Sequence, residues 1–524
     1  MPIGHLALVL HAHLPFVRHP EHDEFFEEDW LFEAITESYI PLLNALERLT
    51  RDRVPCRLAM SITPPLCAML QDELLRSRYV RYLDRSISLA ERELARTRDE
   101  PNVHQLARFY FELLSETRRQ FEEWNRDLLS RFRHFRDVGA LEIIASAATH
   151  GLLPLLAQDP AAVRAQVRIG CDVYREVFAA EPAGFWLPEC AYMPGLEHVL
   201  QEVNIRWFVL DAHGLMLGNP RPRRAIYAPC FTPAGPAAFA RDPESSRQVW
   251  SAESGYPGDP AYREFHRDIG FDLPPAYISP ESPSRSSGFT GLKYHRITGR
   301  DVAKEIYNPA WAEAAANAHA EHFLVSRRQQ IQTVGDDFEP VLTMPFDAEL
   351  FGHWWFEGPR FLELLIRKVA HFGDELRLTT PGEYLHAHAT QEVVEPAASS
   401  WGKDGYWAVW LHESNSWIHP HLHSAAVRMT EAARKYATHE TTDLIERMLK
   451  QLARELLLAQ SSDWAFLMHS GTATQYATKR TKEHIRRFNA LCDQLDTGAI
   501  DEALLSECEA RDNLFPDVDW RYYL

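Results

Sequence analysis

Residues 6–15 read Leu-Ala-Leu-Val-Leu-His-Ala-His-Leu-Pro. An apolar run of this length, stopped by polar residues and a proline, reads as a buried strand. Stretches 57–62, 141–147, 184–187, 205–210 and 340–345 have the same character. Long amphipathic segments, such as 33–49 and 82–136, separate them. Strands alternating with helical patterns predict βα units and a parallel sheet. The fold class expected is therefore α/β.

The residues just past the end of each run carry the functional information. His11 and His13 come after the first, and Thr149-His150-Gly151 after 141–147. Pro188-Glu189-Cys190-Ala191-Tyr192 comes after 184–187. Asp211 and His213 come after 205–210, and Phe346-Asp347-Ala348-Glu349 after 340–345. If these runs are parallel barrel strands, all of these polar groups stand at one rim. The C-terminal rim of a β/α barrel is where catalytic residues collect.

The chain has 524 residues, of which 45% are hydrophobic and 25% charged. At roughly 150 residues per domain this suggests about three domains, or one large barrel with additions. Its 74 acidic and 55 basic residues leave a net charge of −19. That balance argues against nucleic acid, whose binders carry a basic footprint, and permits an uncharged substrate. The 7 cysteines are scattered without a C-x-x-C, which predicts reduced thiols and a cytoplasmic protein. The N-terminus lacks the basic start and apolar core of a signal peptide. No run is apolar enough to span a membrane.

Glu189 and Asp347 are the expected catalytic carboxylates. Trp186, Cys190 and Tyr192 surround one; Phe346, Phe351, Trp354 and Trp355 surround the other. Apolar neighbours desolvate a carboxylate and raise its pKa toward that of a general acid. Two carboxyls about 5–5.5 Å apart flanking a sugar define a retaining glycosidase site. The plainer alternative for each is a helix cap or an ion pair. His11, His13 and His150 suit sugar hydroxyls or a metal, since His11 and His13 share one strand face. Asp463 follows a predicted helix at 442–459 and serves either the site or the cap of the next helix. Trp401, Tyr406, Trp407, Trp410 and Trp417 lie in a Gly- and Ser-bearing segment. They form either sugar-stacking platforms or an interdomain seam. Residues 220–290, rich in Pro, Gly, Ser and Arg, read as a loop-rich insertion.

Several separated stretches together resemble the 1,4-α-glucan branching enzymes of glycoside hydrolase family 57. They are LVLHAHLPFVR (8–18), ATHGLLPLL (148–156), FWLPECAYMPG (185–195), MPFDAELFGHWWFEGP (344–359), AQSSDWAFL (459–467) and DNLFPDVDWRYY (512–523). The resemblance implies a (β/α)7 barrel at 1–185 and 275–398. It implies an inserted small domain at 186–274 and a C-terminal α-helical domain at 399–524. Glu189 is then the nucleophile and Asp347 the general acid/base. His11, His13, His150 and Asp463 line the sugar subsite, and Trp30, Trp401 and Trp410 hold the glucan. The loop 249–259 carries Tyr256, which matches a tyrosine that covers the site in such enzymes. KYHRITG (293–299) places His295 where the family carries tryptophan, which points to an altered acceptor or chain subsite. The expected partner is an α-1,4-glucan, acted on by a monomer or weak homo-oligomer with no cofactor or metal. An amylase-type hydrolase or 4-α-glucanotransferase of the same family is the alternative. From another class, so is a metal-dependent barrel hydrolase or deacetylase.

Overall fold

The computed structural model describes residues 3–251, 254–280, 288–299, 302–334, 337–373, 375–438 and 441–524. Ala252 and Glu253 of the 249–259 loop lie outside these described residues.

The predicted strands are present as β1 (Gly4–Ala12), β2 (Leu58–Ile62), β3 (Leu141–Ser146), β4 (Gly184–Trp186) and β5 (Trp207–Leu210). They are joined by β6 (Ala237–Ala240) and β7 (Val341–Asp347). All pair in parallel in the order β6-β5-β4-β3-β2-β1-β7. A parallel bridge between Arg241 and Thr343 closes the ring, with Asp242 N–H donating to the Thr343 carbonyl at 2.8 Å. The result is a seven-stranded barrel, with the helix-bearing connections that parallel strands require.

Two of these strands, β5 and β6, fall inside the 186–274 range expected to be an insertion. The barrel therefore continues through that range. β6 is Ala-Ala-Phe-Ala, too short and too small-residued to stand out as an apolar run. The long excursion comes after it, between β6 and β7. It holds the helix Pro243–Trp250, short turns, and the helix Pro309–Gln332.

Alternation along the strands explains what the barrel encloses. Successive side chains point to opposite faces. Leu6, Leu8 and Leu10 join the large core beneath the helices. Ala7, Val9, Ala59, Ile144, Trp186, Trp207, Val209, Ala237, Phe239 and Val341 form a second buried cluster, which fills the barrel interior. The inward-facing positions continue to His11 and His13, Thr63, Asp211, Arg241 and Asp347 at the strand ends.

The C-terminal region is helical: Ile418–Ala437, Asp443–Ala459, Ser462–Ser470, Thr474–Thr497 and Glu502–Arg511. The Thr442 side chain caps the second of these, as the 442–459 periodicity predicts. This region sits on the barrel rim. Gly151 bridges Ser461, and Thr149 Oγ1 donates to the Leu457 carbonyl. The tail returns to the barrel through Tyr522, whose hydroxyl donates to Asp172 at 2.6 Å. Among the described residues, no helix is long and apolar enough to cross a membrane.

Candidate active site

Three histidine rings stack over the barrel mouth. His11 lies flat on Trp186, with centroids 4.3 Å apart and planes 7° apart. His13 and His150 stack at 3.9 Å, and His11 Nε2 meets His150 Nε2 at 3.0 Å. Burial holds His11 and His150 well below the ordinary histidine range, so both are neutral at pH 7 and one ring must donate to the other. His13 reaches Thr63 Oγ1 at 2.9 Å through Nδ1 and Asp463 Oδ1 at 3.0 Å through Nε2. Asp463 lies in the first turn of Ser462–Ser470, where Ser461 is the N-cap residue and makes no side-chain cap. Burial alone would raise the Asp463 carboxyl, but His13, His150 and Ser461 together hold it down at about 2. It is thus an anion that orients His13.

Glu189 stands beyond β4 with φ 61° and ψ 23°, and His150 has φ 57°. Left-handed conformations in residues other than glycine carry strain, and such strain gathers at functional sites. Trp401 Nε1 donates to Glu189 Oε2 at 2.8 Å, and Ser462 Oγ approaches Oε1 at 3.4 Å. Burial pushes the Glu189 carboxyl up to about 7; the Trp401 bond opposes this and the nearby Asp347 charge adds to it. Asp347 ends β7 in register with His11. Burial, with the Glu349 charge beside it, pushes Asp347 to about 7 as well. Among the described residues, no side chain donates a hydrogen bond to the Asp347 carboxyl.

The two carboxyls have the same titration range and different surroundings. Donors to Glu189 favour its ionised form, whereas the undonated Asp347 beside another carboxyl favours the proton. One acid and one anion can therefore coexist at neutral pH.

The support is specific. A π-helical turn, Ile35–Tyr39, interrupts the helical run between β1 and β2. It delivers the Tyr39 hydroxyl to Glu349 Oε1 at 2.5 Å, while the His13 N–H donates to the same oxygen at 3.1 Å. Glu349 thus couples the ends of β1 and β7. The Arg241 guanidinium lies 5.5 Å from the Trp401 ring and bonds Asp211 and Ser246. Sequence reasoning missed Tyr39, Thr63, Arg241 and Ser462 as site groups, and placed Glu349 at the rim without giving it a role. The inward parity of the strands was a usable signal for Thr63 and Arg241.

The structure thus brings together His11, His13, His150, Glu189, Asp347, Trp401 and Asp463. The other expected site residues lie apart from this cluster in their contacts. Tyr256 is buried: its hydroxyl bonds His322 Nδ1 at 2.8 Å and its ring stacks on His319 at 4.6 Å. It docks on the helix Pro309–Gln332, where these two histidines give its phenol both a polar and a flat partner. Trp410 is only 2% exposed and packs on Gly402, so it is a core residue of its segment and no open platform. Trp30 meets Tyr476 edge-on at 5.8 Å, at the seam with Thr474–Thr497. His295 bridges Ile306 and accepts the Glu264 N–H through its carbonyl.

His13, His150 and Asp463 have ligand atoms within 4.8 Å of one another, close enough to hold a metal. Their nitrogens are already engaged in the hydrogen bonds above, which an ion would have to replace.

Comparison with known proteins agrees with this geometry. The family model described as Glycosyl hydrolase family 57 matches residues 7–397. A second, described as 1,4-alpha-glucan branching enzyme, C-terminal, matches 421–523. A curated 1,4-alpha-glucan branching enzyme of Thermococcus kodakarensis is 34% identical, covering 98% of this chain and 78% of its own length. The crystal structure of the alpha-amylase AmyC of Thermotoga maritima is 44% identical with a TM-score of 0.93, covering 99% of each chain. That of a GH57-type branching enzyme from Pyrococcus horikoshii is 35% identical with a TM-score of 0.89, covering 100% of this chain and 97% of its own. With the motif-bearing strand ends gathered at one rim and the family match running through the whole barrel, the chain belongs to glycosyl hydrolase family 57.

Proposed function

We propose that this enzyme is a retaining 1,4-α-glucan branching enzyme. The observation that carries the mechanism is the Glu189–Asp347 pair, matched in pKa and unlike in hydrogen bonding. Asp347 gives its proton to the leaving glycosidic oxygen while ionised Glu189 attacks the anomeric carbon, forming a glycosyl-enzyme ester. The Asp347 carboxylate then takes the proton of an acceptor 6-hydroxyl. That oxygen displaces Glu189, and an α-1,6 branch results. The neutral His11 and His150 rings and the Asp463-held His13 offer directional partners for sugar hydroxyls.

The family relatives supply the choice of reaction: a curated relative and a solved structure carry the branching name, and so does the model matching the C-terminal region. Seven buried, unpaired cysteines fit a cytoplasmic protein, acting on a neutral glucan as a monomer or weak oligomer.

Two observations favour a second reading, hydrolysis. The Tyr256 hydroxyl is engaged by His322, and the 44%-identical structure is named an alpha-amylase. Water in place of the 6-hydroxyl then completes the reaction. Amylose incubated with the enzyme separates the two. Loss of iodine staining with few new reducing ends supports transfer; equivalent reducing ends support hydrolysis.

A further inference from the structure

His5, Glu339 and His388 meet at the end of the barrel opposite the carboxyls. His5 lies near the start of β1, and Glu339 precedes β7. His388 closes the helix Pro381–Ala387. His5 Nε2 is 3.0 Å from Glu339 Oε2, His388 Nε2 is 3.6 Å from the same oxygen, and all three ligand atoms lie within 4.8 Å. A tetrahedral zinc ion with bonds of about 2.0–2.1 Å holds its ligands roughly 3.3 Å apart. The two measured separations bracket that edge.

The cluster is built by Tyr384. Its ring lies 4.4 Å from His388 and meets His5 edge-on at 5.5 Å. Its hydroxyl donates to the Glu339 carbonyl at 2.6 Å. One side chain therefore positions all three candidate ligands. Their side chains remain 14%, 30% and 27% exposed for His5, Glu339 and His388, so an ion and a water ligand have access.

We propose that His5, Glu339 and His388 bind one divalent transition-metal ion of the zinc type, which ties the first and last barrel strands to the helix Pro381–Ala387. Two imidazoles and one carboxylate select zinc-like ions over magnesium or calcium, which prefer oxygen ligands. The N-terminal face of a barrel serves stability, so the ion acts on the barrel seam and takes no part in glucan chemistry. The Arg377 charge beside His5 works against the ion and sets a limit on affinity.

The test uses the tag-free, full-length, chelator-treated protein titrated with ZnCl2 in a calorimeter, with thermal unfolding in parallel. The expected result is one zinc per chain and a higher unfolding midpoint with zinc. His388→Ala and Glu339→Gln should each weaken binding by ~100-fold or abolish it, with amylose turnover unchanged by them or by chelation. His13→Ala, which alters the other histidine cluster, should bind zinc as the parent does. Circular dichroism confirms that each variant is folded. No saturable zinc binding in the parent overturns the proposal, as does undiminished affinity in both ligand variants. Loss in His13→Ala instead assigns the ion to the reaction centre and also overturns it.

Discussion

Trp401 and Glu189 are joined twice: the indole N–H donates to Oε2 at 2.8 Å, and the Trp401 backbone N–H donates to the Glu189 carbonyl at 3.1 Å. The first bond favours the ionised carboxyl; the second fixes its backbone. Trp401→Phe keeps a ring and loses the donor. A hydrogen bond to a charged group contributes about 1.5–3 kcal/mol. The expected kcat loss is therefore about 10- to 100-fold, with the acid limb of the pH profile moved to higher pH, because the lost donor had opposed the upward shift of Glu189. An unmoved acid limb would show that Trp401 serves only as a glucan platform.

The pH–rate profile itself should be a bell centred near neutrality. Glu189 and Asp347 are both raised to about 7, and they titrate as a coupled pair. As pH falls Glu189 gains a proton and cannot attack; as pH rises Asp347 loses the proton it must donate. Each limb should fall about tenfold per pH unit. Steady-state rates on amylose across the acid and alkaline ranges check this, and a single-limbed profile would remove one carboxyl from the mechanism. Burial of the same groups makes them costly when ionised, so Glu189→Gln should keep or raise the unfolding temperature while abolishing turnover.

Tyr256 is docked on its helix through His322 and His319. Replacing His322 by Ala removes the hydroxyl's partner and leaves a buried polar group unsatisfied, which weakens the docked state. If the loop's undocking favours transfer, His322→Ala raises the ratio of branches formed to reducing ends released by about twofold or more. Total bond cleavage should change little. An unchanged ratio makes the Tyr256 contact a static strut.

Gly170 lies where the helix Pro160–Phe178 crosses the end of β3. A Cβ there would sit 2.0 Å from the Ser146 carbonyl oxygen, a backbone atom that cannot swing aside. Gly170→Ala should destabilise by about 2–3 kcal/mol, read as a lower denaturant midpoint. A midpoint equal to the parent's would mean that the helix shifts freely on the sheet.

Much of the site is legible in the sequence because strand ends carry it. Odd-numbered positions run from Ala7 through Val9 to His11 in β1 and on to His13 just past its end, so one parity fills the barrel and the same parity arms its mouth. A place just past an apolar run, among aromatic neighbours, does the same for Glu189 and Asp347. Other features depend on contacts that no local pattern encodes. β6 is four residues, three of them alanine, hidden within a proline-rich stretch. Tyr256 has two histidine partners that lie more than sixty residues further along the chain. Trp410 and Trp401 look alike as exposed-loop tryptophans, yet one packs into its own segment and the other turns to Glu189. Asp463 reads equally as a cap or a site group; its carboxylate reaches His13, 450 residues earlier in sequence.

Branching itself is tested by chain-length analysis of amylose after incubation with the enzyme, with and without isoamylase digestion. Transfer through Glu189 predicts new α-1,6 linkages, released by isoamylase as a distribution of short chains, and none with Glu189→Gln. Shortened linear chains that isoamylase leaves unchanged would contradict it.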